Sequence, residues 1–198
     1  MKWVFAVLFV LSLGACKRQT SDAERCPAVD AGTPVDATLL AFLSRARAAH
    51  HIADEREAAA DLSAAIAPLA ALTQGPVPGG GQSPAPEVRE VLADTRARLA
   101  DLRSRQGAFA LALADVRAGL ESATSPNYFR GHLLETEGLV EERQAKALDL
   151  TDPAAAAAAR TRAISLLEQA MAMQASVIEE GTPGAPSPSG APSSAAPR

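Results

Sequence analysis

Two histidines, His50 and His51, stand four residues before two acids, Asp54 and Glu55, so on a helix each pair shares a face. A metal held there needs at least a third protein ligand. The only other histidine is His132, far along the chain. His132-Leu133-Leu134-Glu135 reverses the Glu-x-x-His order used in di-iron bundles and has no second copy. Solvated helix faces account for all three histidines. Glu135, Glu137, Glu141 and Glu142 put four carboxylates close together. Acid–base work by such groups requires an oriented partner and a pocket. Arg143 and Lys146 instead suit an ion-paired helix surface. Gly79-Gly80-Gly81 lacks the following Lys-Ser/Thr and the preceding strand of a phosphate cradle. The residues therefore predict no enzyme, no metal, no cofactor and no small-molecule substrate.

The chemistry that does emerge belongs to a cysteine. Lys2 precedes an apolar run, Val4 to Leu13, broken only by Ser12. Spanning a bilayer takes about 20 apolar residues, so this run is too short and fits a signal peptide. Leu13-Gly14-Ala15-Cys16 resembles a bacterial lipobox. The resemblance implies that residues 1–15 are removed and that Cys16 becomes the lipid-bearing first residue. Diacylglycerol on its sulfur and an acyl chain on its amine would anchor the protein, each buried CH₂ contributing roughly 0.8 kcal/mol. Lys17, not aspartate, follows the cysteine. In lipoproteins of this kind an aspartate there signals retention at the inner membrane. The resemblance thus implies the outer membrane, facing the periplasm.

Loss of Lys2 with residues 1–15 takes the formal charge from −4 to −5. An acidic chain with no Lys/Arg run beyond Lys17-Arg18 offers no field for nucleic acid. Cys26 has no intramolecular partner once Cys16 is lipidated; it is a free thiol or forms an intermolecular disulfide. Nothing helical surrounds it to lower its pKa, which argues against a catalytic thiol.

The remaining chain must position any binding surface. Residues 16–32 read as a polar tether, and residues 75–86, "GPVPGGGQSPAP", as a Pro/Gly linker. Residues 181–198 read as a disordered Pro/Ala/Ser tail. Between them, residues 33–180 predict an all-α domain, because alanine is abundant and aromatics are only 4%. Helical spacing selects three antiparallel hairpins. In the first, Thr33-Pro34-Val35-Asp36 has the form of a cap, Leu39, Phe42, Leu43 and Ala46 share a face, and Asp54 is placed to cap a second helix. That second helix carries Leu62, Ile66 and Leu69, with Pro68 kinking it. In the second hairpin Val88, Val91, Leu92, Leu99 and Leu102 form a stripe, Gly107 ends the helix, and Phe109, Ala112, Leu113, Val116 and Leu120 continue it. In the third, Leu133, Leu134, Val140, Ala147 and Leu148 line one helix. Asp152 and Pro153 start the last, lined by Ile164, Leu167, Met171 and Ile178.

The middle hairpin resembles a tetratricopeptide repeat. Leu99 and Ala100 match its first helix, Gly107 its turn and Phe109 the aromatic after it; Ala112, Val116 and Gly119 match its second helix. Arg96 and Arg103 replace bulky residues of the pattern. Ala65-x-x-x-Leu69 and Ala163-x-x-x-Leu167 echo it in the outer hairpins. The resemblance implies a tetratricopeptide-like solenoid that binds a protein or peptide and helps to build an envelope complex. The alternative is a plain bundle of about six helices with a structural or sensory role and no peptide groove. Arg89, Arg96 and Arg103, spaced at seven residues, form a basic stripe able to clamp a partner's carboxylate.

Cys16→Ala is expected to abolish metabolic labelling with palmitate and to release the protein from the membrane fraction. Mass spectrometry that finds an unmodified Cys16 in the mature protein would contradict the anchor.

Overall fold

The computed structural model describes residues 36–79 and 84–181. The lipobox with Cys16, the tether with Cys26, the cap residues Thr33 to Val35 and the tail beyond residue 181 lie outside them. Six helices fill the described residues, and no strand occurs among them. They are α1 (Ala37–Ala58), α2 (Leu62–Gln74), α3 (Pro86–Arg105), α4 (Phe109–Ser122), α5 (Tyr128–Leu148) and α6 (Pro153–Gly181). The expected all-α class and the three helical hairpins are present. No described helix is long and apolar enough to cross a membrane.

Packing runs in series. Each hairpin closes on itself, and α3 touches α1, α2, α4 and α5. The third hairpin joins through α5, which packs on both α3 and α4. The first hairpin does not pack on the third, the neighbour-only pattern of stacked repeats. Contacts advance together along the helices, His50 to Thr95 and then Asp54 to Arg98 between α1 and α3, and Ala97 to Leu133 and then Ser104 to Arg143 between α3 and α5, so the first helices α1, α3 and α5 run parallel.

Turns explain where the helices end. After α3, Gly107 has φ +79°, its N–H donates to the Ser104 carbonyl, and the Ala108 N–H donates to the Arg103 carbonyl. These bonds close the helix in a Schellman motif, whose left-handed position glycine occupies without strain. The α1–α2 turn repeats it: Ala60 N–H donates to the Glu57 carbonyl and Asp61 N–H to the Arg56 carbonyl. Here the left-handed residue is Ala60, with φ +59°. The expected break near Asp54 is therefore displaced. Phe42, Ala46, Ala49 and Ala53 continue one buried stripe, so α1 runs on to Ala58. Asp54 pairs with Arg98, and Asp61 caps α2 by accepting from the Ala64 N–H at 3.0 Å. Asp36 likewise is the N-cap of α1, not its third residue, and accepts from the Thr38 N–H. Asp152 caps α6 as expected. Pro68 lies inside α2, which continues as one helix.

Large apolar side chains concentrate at one end of the array. Phe42, Leu69, Leu72, Val88, Leu99 and Leu102 form one cluster of α1, α2 and α3. Each fully buried Leu or Phe contributes about 1.5–3 kcal/mol. The expected linker begins as part of this core: Val77 packs against it, Pro78 is buried, and Arg45 donates to the Pro76 carbonyl at 3.1 Å.

At the other end, small residues take over. A Cβ on Gly119 would lie 2.5 Å from Leu133 Cδ2, and one on Gly138 would lie 2.8 Å from Leu167 Cγ. Of the expected lining of α6, Leu167 packs at Gly138 and the other three residues do not. Ile164 and Met171 are 58% and 70% exposed, and Ile178 is exposed too. The buried face is Ala156, Ala159, Ala163 and Ala170. Because α5 presents Gly131 and Gly138, the backbones approach closely and the alanine stripe fits where larger side chains would clash. Ala147, expected in the α5 stripe, is exposed as well.

The two matching turns make opposite forecasts. Gly107→Ala places a Cβ in the left-handed region and is expected to cost about 1 kcal/mol, whereas Ala60→Gly is expected to stabilise by somewhat less, because glycine also frees the unfolded chain. Urea melts of the two variants read both signs.

Candidate partner-binding groove

Where α1, α3 and α5 lie side by side they line an open groove. Leu43 of α1, Val91 of α3 and Phe129 of α5 supply apolar lining at one end, and Ala97 and Leu139 at the other. The face of α3 turned to the groove carries Glu87, Glu90, Asp94, Arg98 and Asp101 at helical spacing. The opposite side of the same helix buries Val88, Leu99 and Leu102.

His50 and His132, widely separated in sequence, both line this groove. His50 Nε2 lies 3.0 Å from Thr95 Oγ1. The Thr95 hydroxyl donates its one proton to the Val91 carbonyl at 2.7 Å, so His50 Nε2 carries a hydrogen and donates to Thr95. Burial lowers the His50 pKa below its ordinary 6.5, opposed by the charge of Asp94. The unfolded chain therefore takes up this proton first, and stability falls as pH drops below 6.5 toward the folded value. His51 instead faces Glu55 at 3.4 Å on the exposed surface. His132 Nδ1 stands 3.6 Å from Glu135 Oε2. Among the described residues no group of three His, Cys, Asp or Glu side chains is placed to hold a metal ion.

The four clustered glutamates separate onto different contacts. Glu141 is buried and takes a bidentate fork from Arg162 of α6, at 2.9 and 2.7 Å. Glu137 is half-buried, and burial pushes its carboxyl above the usual range, reinforced by Glu141 and opposed by Arg117. Glu142 is held below its ordinary range by a hydrogen bond from Lys146, one turn on. Only Glu135 lines the groove.

The arginine stripe meets a carboxylate inside the chain. Asp115 of α4, with its side chain only 2% exposed, receives Arg96 on Oδ1 at 3.0 Å and Arg103 on Oδ2. Spacing of seven residues on α3 brings both guanidinium groups over the same point of α4. These two expected partner-binding residues thus clasp the middle hairpin and point away from the groove-lining face of α3. Arg89 has no such partner and shares a shallow depression with Arg96, Leu92 and Glu121, between α3 and α4. Asp115 and Thr95 escaped the sequence reading. The one available signal was a carboxylate beside Ala112 and Val116, inside an otherwise apolar stripe.

Reversing Arg96 and Arg103 to glutamate is expected to cost stability, by setting two more carboxylates against a buried one. Asp115→Ala is expected to cost about 2–4 kcal/mol, since the partly exposed arginines regain water and blunt the full penalty of an orphaned buried pair. Denaturant midpoints check both; an unchanged midpoint in Asp115→Ala would deny the clasp its structural role.

No family model, no curated protein and no solved structure matches this chain.

Proposed function

We propose that this chain is a non-catalytic lipoprotein of the cell envelope, anchored through Cys16 and facing the periplasm from the outer membrane. Its helical domain binds a polypeptide segment in the groove of α1, α3 and α5 and thereby assists assembly of an envelope complex. The observation that carries the reading is the open groove between three parallel first helices whose hairpins stack only on their neighbours. A closed core would bury those faces against one another.

Three further features support it. The α1–α2 and α3–α4 turns use the same motif, as expected of a degenerate repeat. The tetratricopeptide-like residues Leu99, Ala100, Ala112 and Val116 are all buried at the middle hairpin. The groove mixes apolar side chains with unneutralised polar ones, the composition of a recognition surface. A lipid on Cys16 would hold that surface near the membrane, within reach of membrane-embedded partners.

Benzoylphenylalanine at Glu90 or Leu139 of the lipidated protein is expected to crosslink a discrete envelope polypeptide. The same group at Leu111 or Ile164, exposed on the outer sides of α4 and α6, is expected not to. Equal crosslinking from all four positions, or none from the groove, would defeat the proposal.

A further inference from the structure

Charge along the groove is lopsided, and the asymmetry names a class of partner. Several acids and bases of the stack are matched, Arg98, Glu57 and Asp101 of the groove wall among them. Arg98 is bound to Asp54 and Glu57, Arg105 to Glu57 and Asp101, Arg143 to Asp101, and Arg162 to Glu141. Those pairs tie helices together and leave little net field. Glu87 and Glu90 have no ion-pair partner among the described residues. Asp94 has only the lowered-pKa His50, 4.0 Å away. Glu135 has only His132 and an amide hydrogen from Gln174 at 3.3 Å. Against these four carboxylates the groove offers one guanidinium without an internal partner, that of Arg47.

The carboxylates border an apolar strip. Glu87, Glu90 and Asp94 lie along α3 beside Val91; Leu43 and Phe129 face them from the neighbouring helices. Low-dielectric walls lined by one sign of charge focus the field and draw in the opposite sign. An anionic segment would be repelled, and a purely apolar one would strand the carboxylates.

We infer that the groove receives a basic segment of another protein, its lysine or arginine side chains meeting Glu87, Glu90, Asp94 and Glu135 while an apolar side chain enters between Leu43, Val91 and Phe129. This deepens the groove reading above and rests on it.

The test uses the full chain in detergent and two fluorescent probes: a short amphipathic lysine/leucine peptide and its glutamate/leucine counterpart. The lysine peptide is expected to bind, and more weakly as salt rises. Glu87→Lys with Glu90→Lys, and separately Glu135→Lys, are expected to weaken it by about tenfold or more with helicity unchanged. Glu168→Lys with Glu179→Lys, on the exposed side of α6, is expected to leave it unaltered. Equal binding of both peptides, no binding of the lysine peptide, or indifference to the groove reversals would overturn the basic class. Groove crosslinking at Leu139 that survives such a result would leave the groove reading standing and reject only the charge assignment. If Lys17, Arg18 and Arg25 changed together to glutamine raise the peptide's affinity, the groove's occupant is this chain's own tether, and the partner inference falls.

Discussion

Asp115 holds the middle of the molecule together. Its carboxylate is buried on α4, and both oxygens are taken by guanidinium groups of α3. Burying a carboxylate costs several kcal/mol unless charge and hydrogen bonds offset it. Here Arg96 and Arg103 answer one oxygen each, and both remain 18–27% exposed, so their other donors still reach water. The clasp is directional where apolar packing is not. It sets the register of α4 on α3, and α3 is the helix on which α1, α2, α4 and α5 all pack. The groove therefore depends on it at one remove: with α3 rotated, Glu90, Val91 and Asp94 would no longer face between α1 and α5.

A chain with so few aromatics builds its stack by two different means. The first hairpin and α3 bury Phe42, Leu69, Leu99 and Leu102 in an ordinary core. Toward α5 and α6 the buried positions are mostly alanine or glycine, and each supplies little area. Compensation comes from proximity. Gly119 lies under Leu133 and Gly138 under Leu167, so backbones approach and dispersion contacts accumulate. Polar bridges add specificity there: Arg162 forks onto Glu141, and Arg143 joins Asp101 to the Ser104 hydroxyl.

The two sides of α3 divide the charge. Arginines at 96 and 103 turn toward α4 and share the one negative charge of Asp115, while acids at 87, 90 and 94 turn toward the groove and meet no guanidinium. A chain with modest net charge thus carries a strongly signed surface. The groove also places His50 beside these acids in neutral form at neutral pH, because burial outweighs the pull of Asp94.

Local chemistry was legible along the sequence. Helicity followed from alanine content and apolar spacing, the α6 start from Asp152-Pro153, and the α3 end from Gly107, because each acts within one turn of backbone. The same logic failed at Ala60, since alanine carries no left-handed signal and takes that conformation only where the surrounding turn demands it. Tertiary structure alone decided which side of α6 is buried: periodicity saw Ile164 and Met171, but the glycines of α5 meet the alanine stripe with Leu167 at its edge. It alone turned Arg96 and Arg103 inward, because their partner lies across a hairpin and a stripe of arginines reads the same whether it faces solvent or a buried acid. His50, Asp94 and Glu135 share a groove for a similar reason. Spacing along one helix is set by the covalent chain, whereas neighbours across parallel helices are set by how closely their small residues let the backbones pack.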